Sequence, residues 1–151
     1  MWCLFHNCLI MISENTKDNA KPTNFFKFEG LRIYHKSVDF TNAILSLSNS
    51  CQTEAHKLIC DMFVKEAMQI STCLIEGASY SRTAFIDELQ KAKVSIGKCV
   101  AFCTLAAKQH LADETQEADI RNELMELTKM IGALILSFQK HDSVNNPESD
   151  A

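Results

Sequence analysis

The chain has 151 residues, 46% of them hydrophobic, with 15 basic and 19 acidic side chains and a formal net charge of −4. That length fits one domain with a substantial core, and the mild acidity argues against broad sequence-independent binding to nucleic acid, which needs Lys and Arg against phosphates. Seven cysteines, an odd number with no CxxC pair, do not read as the disulfide framework of a small secreted protein; lying mostly in apolar helical patterns, they fit a reducing cytoplasm.

The opening "MWCLFHNCLIMI" resembles a short apolar targeting segment but has no Lys or Arg ahead of it and no small-x-small cleavage site after it. It is too short to span a bilayer, and no other segment is a candidate, so no membrane partner is expected. Residues 1–10 are open to being non-native, with translation starting at either Met1 or Met11. Residues 1–30 read as a flexible arm, polar around "SENTKDNAKPTN", with "FFKF" at 25–28 docking it onto the body.

From residue 31 the pattern is helical almost without interruption. The first helix, about 31–47, carries two apolar stripes: Leu31, Tyr34, Val38, Leu45 and Ile33, Phe40, Ile44, Leu47. "SLSNSCQT" turns the chain. The second helix, about 54–76, is capped by Thr53, buries Ile59, Phe63, Ala67, Ile70 and Leu74, and is expected to end at Gly77 as a C-terminal cap. Ser81 caps a third helix reaching about residue 111, with Phe85, Leu89, Ala92, Ile96, Cys99, Cys103 and Ala106 on one face. Asp113 or Thr115 caps a fourth, whose Ile120, Leu124, Leu127, Ile131, Leu134 and Phe138 alternate spacings of four and three. Residues 141–151 read as a disordered tail.

Four long helices joined by short turns predict an all-α fold, a single antiparallel up-down-up-down four-helix bundle over residues 31–140. A bundle helix needs one apolar stripe. The first helix has two, and Met125, Met130, Ile135 and Leu136 flank the seam of the fourth. Surplus apolar surface points to self-association, with Ile33, Phe40, Ile44 and Leu47 as the candidate oligomer interface.

"FEGLRIYHKSVDF" (28–40) followed by "KEAMQISTCLIEG" (65–77) resembles the small bacterial four-helix-bundle family encoded by intervening sequences of large-subunit (23S) ribosomal RNA genes, a family related to accessory proteins of diversity-generating retroelements. Leu31, Ile33, Tyr34, Ser37, Val38 and Phe40 meet its first-helix pattern. Ile70, Leu74, Glu76 and Gly77 meet the Ser-Ile-x-x-Asn-Ile-Ala-Glu-Gly ending of its second, with Gln69 and Cys73 replacing the Ser and Asn. Phe85, Leu89, Ala92 and Ser95 fit its third, although Val94 and Lys98 depart from the usual Gly and Glu. The resemblance covers about residues 25–140 and implies a ring-shaped homo-oligomer, a pentamer.

Glu76 sits where the helix dipole disfavours an acid. Its expected role is a corner fastener: accepting hydrogen bonds from groups around residues 79–83, whose amides lack intrahelical partners, or pairing with Arg82. Glu76, Gly77, Ser81 and Arg82 then form a structural corner, not a catalytic site.

No Glu-x-x-His ligand pair occurs, and the four glycines are isolated, so neither a di-iron centre nor a phosphate loop is indicated. Cys99, Cys103 and His110 fall on roughly one face, a spacing that zinc tolerates, but buried thiols on a seam are ordinary packing. The five histidines are dispersed without an evident nucleophile. No catalytic residue, metal or cofactor is expected, and the chain is read as a non-enzyme. Four lysines and no acid lie between Leu89 and Leu111. A thin basic strip of Lys65, Lys91 and Lys98 is the candidate contact for RNA or DNA, the rival to a pure assembly role; Val64-Lys65, where the family often has two basic residues, weakens it.

Overall fold

The structure, a computed structural model, describes residues 25–144, with side chains described through Lys140. The alternative start at Met11, most of the arm and the end of the tail lie outside the described residues. A 3-10 turn, Lys27–Gly30, leads into α1 (Arg32–Ser48), α2 (Glu54–Ser79), α3 (Arg82–Lys108) and α4 (Glu114–Val144). All described regular structure is helical. Of the docking segment, only Phe28 packs against the core; Phe25 and Phe26 are exposed.

The helix starts follow from capping chemistry. Thr53 Oγ1 accepts from the His56 N–H at 3.1 Å, and Ser81 Oγ accepts from the Ala84 N–H at 3.4 Å. At α4 the cap is Asp113: its Oδ1 accepts from the Gln116 N–H at 2.8 Å while Gln116 Oε1 accepts from the Asp113 N–H at 3.0 Å, a reciprocal capping box. The helical backbone of α4 runs to Val144, four residues into the segment expected to be disordered.

Two helix ends differ from expectation. Gly77 does not terminate α2, which continues to Ser79, and no described glycine has positive φ. Glycine is needed there for space: a Cβ on Gly77 would lie 2.2 Å from Phe85 Cδ2 and 2.7 Å from Cε2. α3 ends at Lys108 rather than near residue 111, because His110 turns left-handed at φ 55°. The Leu111 N–H then donates to the Ala106 carbonyl at 2.9 Å and the His110 N–H to the Ala107 carbonyl at 3.0 Å. That pair of bonds is a Schellman ending, and Leu111 buries itself against the last turn.

Contacts pair rising numbers on one helix with falling numbers on the next. Ser37 meets Ser71 and Phe40 meets Phe63 between α1 and α2. Gly77 meets Phe85 and Phe63 meets Phe102 between α2 and α3. Phe85 meets Phe138 and Thr104 meets Arg121 between α3 and α4. Each neighbouring pair therefore runs in opposite directions. The stripes expected on α2, α3 and α4 are all buried in one core.

On α1 the expectation is overturned. Ile33, Phe40, Ile44 and Leu47, assigned to an oligomer interface, are core residues, while Val38 and Leu45 of the other stripe are 43% and 47% exposed. The inward seam is Ile33, Ser37, Phe40, Ile44, Leu47. Its serine hides the four-three spacing: Ser37 is fully buried, donates to the Tyr34 carbonyl at 2.7 Å, and shares a 2.9 Å hydrogen bond with Ser71.

Gly77→Ala is expected to destabilise the protein by about 1–3 kcal/mol, since the new methyl must displace a ring wedged in the core; chemical denaturation measures this. His110→Gly is expected to stabilise by about 0.5–1 kcal/mol, because glycine adopts the left-handed cap without strain, and should appear as a raised thermal midpoint.

Candidate functional site

The richest collection of ionisable and nucleophilic groups is the seam where α2 and α3 face each other. Sequence spacing explains it: Glu66 and Cys73 on α2, and Glu88, Lys91, Ser95, Lys98 on α3, recur at helical intervals on the facing flanks. Lys98 Nζ reaches across to Glu66 Oε1 at 3.1 Å, joining the two helices. About two turns back toward the corner, Lys91 Nζ lies 2.6 Å from Glu88 Oε1. Glu88 is only 8% exposed. The second carboxylate oxygens of Glu66 and Glu88 are buried without a hydrogen-bond partner.

The Lys91 ammonium is held above its ordinary range by its hydrogen bond to Glu88. The neighbouring Cys73 thiol, which accepts from Gln69 Nε2 at 3.5 Å, is pushed up chiefly by burial. Burial also raises the Cys99 thiol to about 12, and raises Cys103, whose Sγ points to the Glu117 carbonyl at 3.8 Å. Such thiols carry almost no thiolate at neutral pH, the form needed for nucleophilic attack or metal ligation. His110 is exposed in its cap, off the face that Cys99 and Cys103 share, so the zinc-tolerant spacing is not realised.

Of the candidate nucleic-acid contacts, Lys65, Lys91 and Lys98 are all exposed, but they are not equivalent. Lys91 and Lys98 are committed to mostly buried carboxylates, and Lys65 makes no ion pair among the described residues. This pairing is invisible in a sequence where Lys98 and Glu66 stand 32 positions apart.

The corner expected around Glu76 is built from other contacts. Glu76 is exposed, and no hydrogen bond or ion pair among the described residues joins it to Arg82 or to residues 79–83. Ser81 caps α3 as expected, Gly77 receives the Phe85 ring, and the Arg82 guanidinium lies 6.0 Å from the centre of the Phe138 ring. Cation–π and aromatic packing replace the expected carboxylate clamp.

Lys91→Gln and Lys98→Gln are each expected to lower the thermal midpoint, because each leaves a largely buried carboxylate without its cation. Lys65→Gln should leave it unchanged. Circular-dichroism melts of the three variants decide whether these lysines are structural ties, and equal behaviour of all three would refute the distinction.

No curated protein matches the chain. The family described as 23S rRNA-intervening sequence protein matches residues 29–133, more than half of the chain and nearly all of the bundle. With four helices in the expected order, and with Ser37, Gly77 and Phe85 of the shared motifs at the helix contacts, the chain belongs to the 23S rRNA-intervening sequence protein family.

Proposed function

We propose that this protein is a non-enzymatic, cytoplasmic assembly module that closes into a homo-oligomeric ring, a pentamer as its family resemblance implies. The observation that carries this reading is the outward ridge of α3. Val94, Gly97, Ala101 and Leu105 follow one another at helical spacing on the face turned from the core, with Val94 61% exposed. A Cβ on Gly97 would meet nothing within 4 Å. Glycine inside a helix costs about 1 kcal/mol relative to alanine, and no contact among the described residues calls for it; close approach of another chain would.

The ridge extends onto α2. Met62 and Leu58 run back from Glu66 as Ala101 and Leu105 run forward from Lys98, so the antiparallel register sets them on one outer face. Further exposed apolar side chains, Val38 and Leu45 of α1 and Met68 of α2, belong to the pair of helices joined at Ser37 and Ser71. Unlike apolar surfaces on one protomer suit a head-to-tail interface, the kind that generates rings. The non-enzymatic part of the reading is supported by an interior filled with apolar side chains and by core thiols held protonated. No described helix is long and apolar enough to cross a membrane.

Light scattering at micromolar concentration is expected to give a mass several times that of the protomer. Val94→Glu combined with Ala101→Glu should reduce it to the protomer without loss of helical circular dichroism. A wild-type monomer overturns the assembly reading. Retention on immobilised RNA that weakens as salt rises would favour the rival, a nucleic-acid or ribonucleoprotein accessory subunit serving ribosomal RNA or a reverse transcriptase; the commitment of Lys91 and Lys98 to Glu88 and Glu66 speaks against it.

A further inference from the structure

Away from the α2–α3 seam, two thiols meet at the turn between α1 and α2. The chain leaves α1 through hydrogen bonds from the Ser50 N–H to the Leu47 carbonyl at 3.0 Å and from the Cys51 N–H to the Ser48 carbonyl at 3.2 Å. Thr53 then caps α2. Two tight local structures in succession fold Cys51 back over the second turn of α2, where Cys60 faces the core. The two Sγ atoms stand 3.0 Å apart. A disulfide bond is about 2 Å long, so closing the gap takes a movement of about 1 Å. Cys51 is half-buried and reachable from solvent, whereas Cys60 is 1% exposed.

We propose that Cys51 and Cys60 are an oxidative modification site, forming a reversible disulfide when the protein meets a peroxide, with Cys51 oxidised first and Cys60 resolving it. Cys51 sulfur gives an electron pair to one peroxide oxygen, the O–O bond breaks, and the Cys51 proton leaves with the departing oxygen as water. Cys51 is then a sulfenic acid. Cys60 sulfur attacks Cys51 sulfur, the S–O bond breaks, and the hydroxyl departs with the Cys60 proton as a second water. Two thiols lose two electrons in total, and one peroxide is reduced to two waters.

The order of attack follows from the surroundings. Cys60 is closed to solvent and its thiol is pushed up to about 12 by burial, followed by the hydrogen bond with Cys51, so it does not compete for the oxidant. Its Sγ, already 3.0 Å from that of Cys51, resolves the sulfenic acid by passing its proton to the departing hydroxyl as the S–S bond forms. No other pair of described thiols is in hydrogen-bond contact: Cys73 contacts Gln69, Cys103 is turned toward the Glu117 carbonyl, and Cys99, one turn from Cys103, is fully buried. The inference is independent of the ring. In a reducing compartment the bond would be transient, as redox-sensing disulfides in such compartments are.

The test is titration of the intact protein with hydrogen peroxide, followed by alkylation and peptide mass mapping. The expected product is a protomer two hydrogens lighter, with a peptide linking Cys51 to Cys60, reversed by dithiothreitol. Two of the seven thiols then escape alkylation. Amides of residues 49–57 should exchange hydrogen more slowly after oxidation. Cys51→Ser, at a half-exposed turn position, should keep its circular dichroism and lose the reaction. Cys60→Ser should strand Cys51 as a sulfenic acid that dimedone traps, and a Cys3→Ser, Cys8→Ser double variant should react as wild type does. Wild-type Cys51 accumulating as sulfenic acid without the link, or linking to another chain or another cysteine, would overturn the proposal.

Discussion

The bundle depends on how closely α2 and α3 approach at their shared corner. Only Tyr80 and Ser81 separate the two helices, so they must touch where they turn. The missing side chain at Gly77 lets the Phe85 ring lie directly on the backbone of α2. The same ring packs on Phe138 of α4 at 5.3 Å, and Arg82 from the first turn of α3 covers Phe138. One absent methyl group thus sets the distance between α2 and α3 and, through Phe85, the position of α4. The register established there places Phe63 beside Phe102 and Glu66 beside Lys98 farther along the pair.

Polar contacts then select among the packings that apolar burial alone would allow. α1 is aligned on α2 by the Ser37–Ser71 hydrogen bond, a directional contact in an otherwise apolar layer. α1 is tied to α4 by Lys36 and Glu126 at 2.5 Å. Their mutual hydrogen bond raises the Lys36 ammonium and lowers the Glu126 carboxyl from their usual ranges. The signs are those of an ion pair whose support is present at neutral pH. It is lost in acid as Glu126 protonates through its depressed folded-state range, and in strong base as Lys36 deprotonates. Glu126 is exposed and Lys36 keeps part of its side chain in solvent, so the pair guides alignment more than it stabilises.

What the sequence made legible follows the same division between repetitive and particular contacts. The seams of α2, α3 and α4 could be read because each holds an unbroken apolar stripe, as in Leu124, Leu127, Ile131 and Leu134, with the buried Glu88 and Ser95 of α3 lying beside its stripe rather than in it. On α1 the inward seam passes through Ser37, and one polar letter was enough to make the core stripe look like a surplus face. Gly77 shows a different limit. A glycine that caps a helix and a glycine that admits a neighbouring ring are the same letter, and only the position of Phe85 distinguishes them. His110 carries no mark of its left-handed backbone, and the lysine strip showed its charge but not its partners on the opposite helix.

The two ends of the bundle are consequently held by different physics. At the end where α2 meets α3, aromatic rings from α3 and α4 interlock over Gly77, and Phe28 packs edge-on against Tyr34 at the start of α1. Phe85 and Phe138 stand far apart in sequence, so their contact yields only with the tertiary structure. The opposite end is made of local devices: the Thr53 cap, the Asp113–Gln116 box and the left-handed ending at His110. Each satisfies its own helix terminus, and the Arg121–Thr104 hydrogen bond joins α4 to α3 nearby. The Cys51–Cys60 contact lies at that end, and its sulfurs join the turn to the body of α2. A covalent bond at an already rigid corner would constrain little. At the turn between α1 and α2, it would add a covalent tie to a segment held by its own backbone hydrogen bonds, the Thr53 cap and the burial of Leu47 and Ile59 on either side.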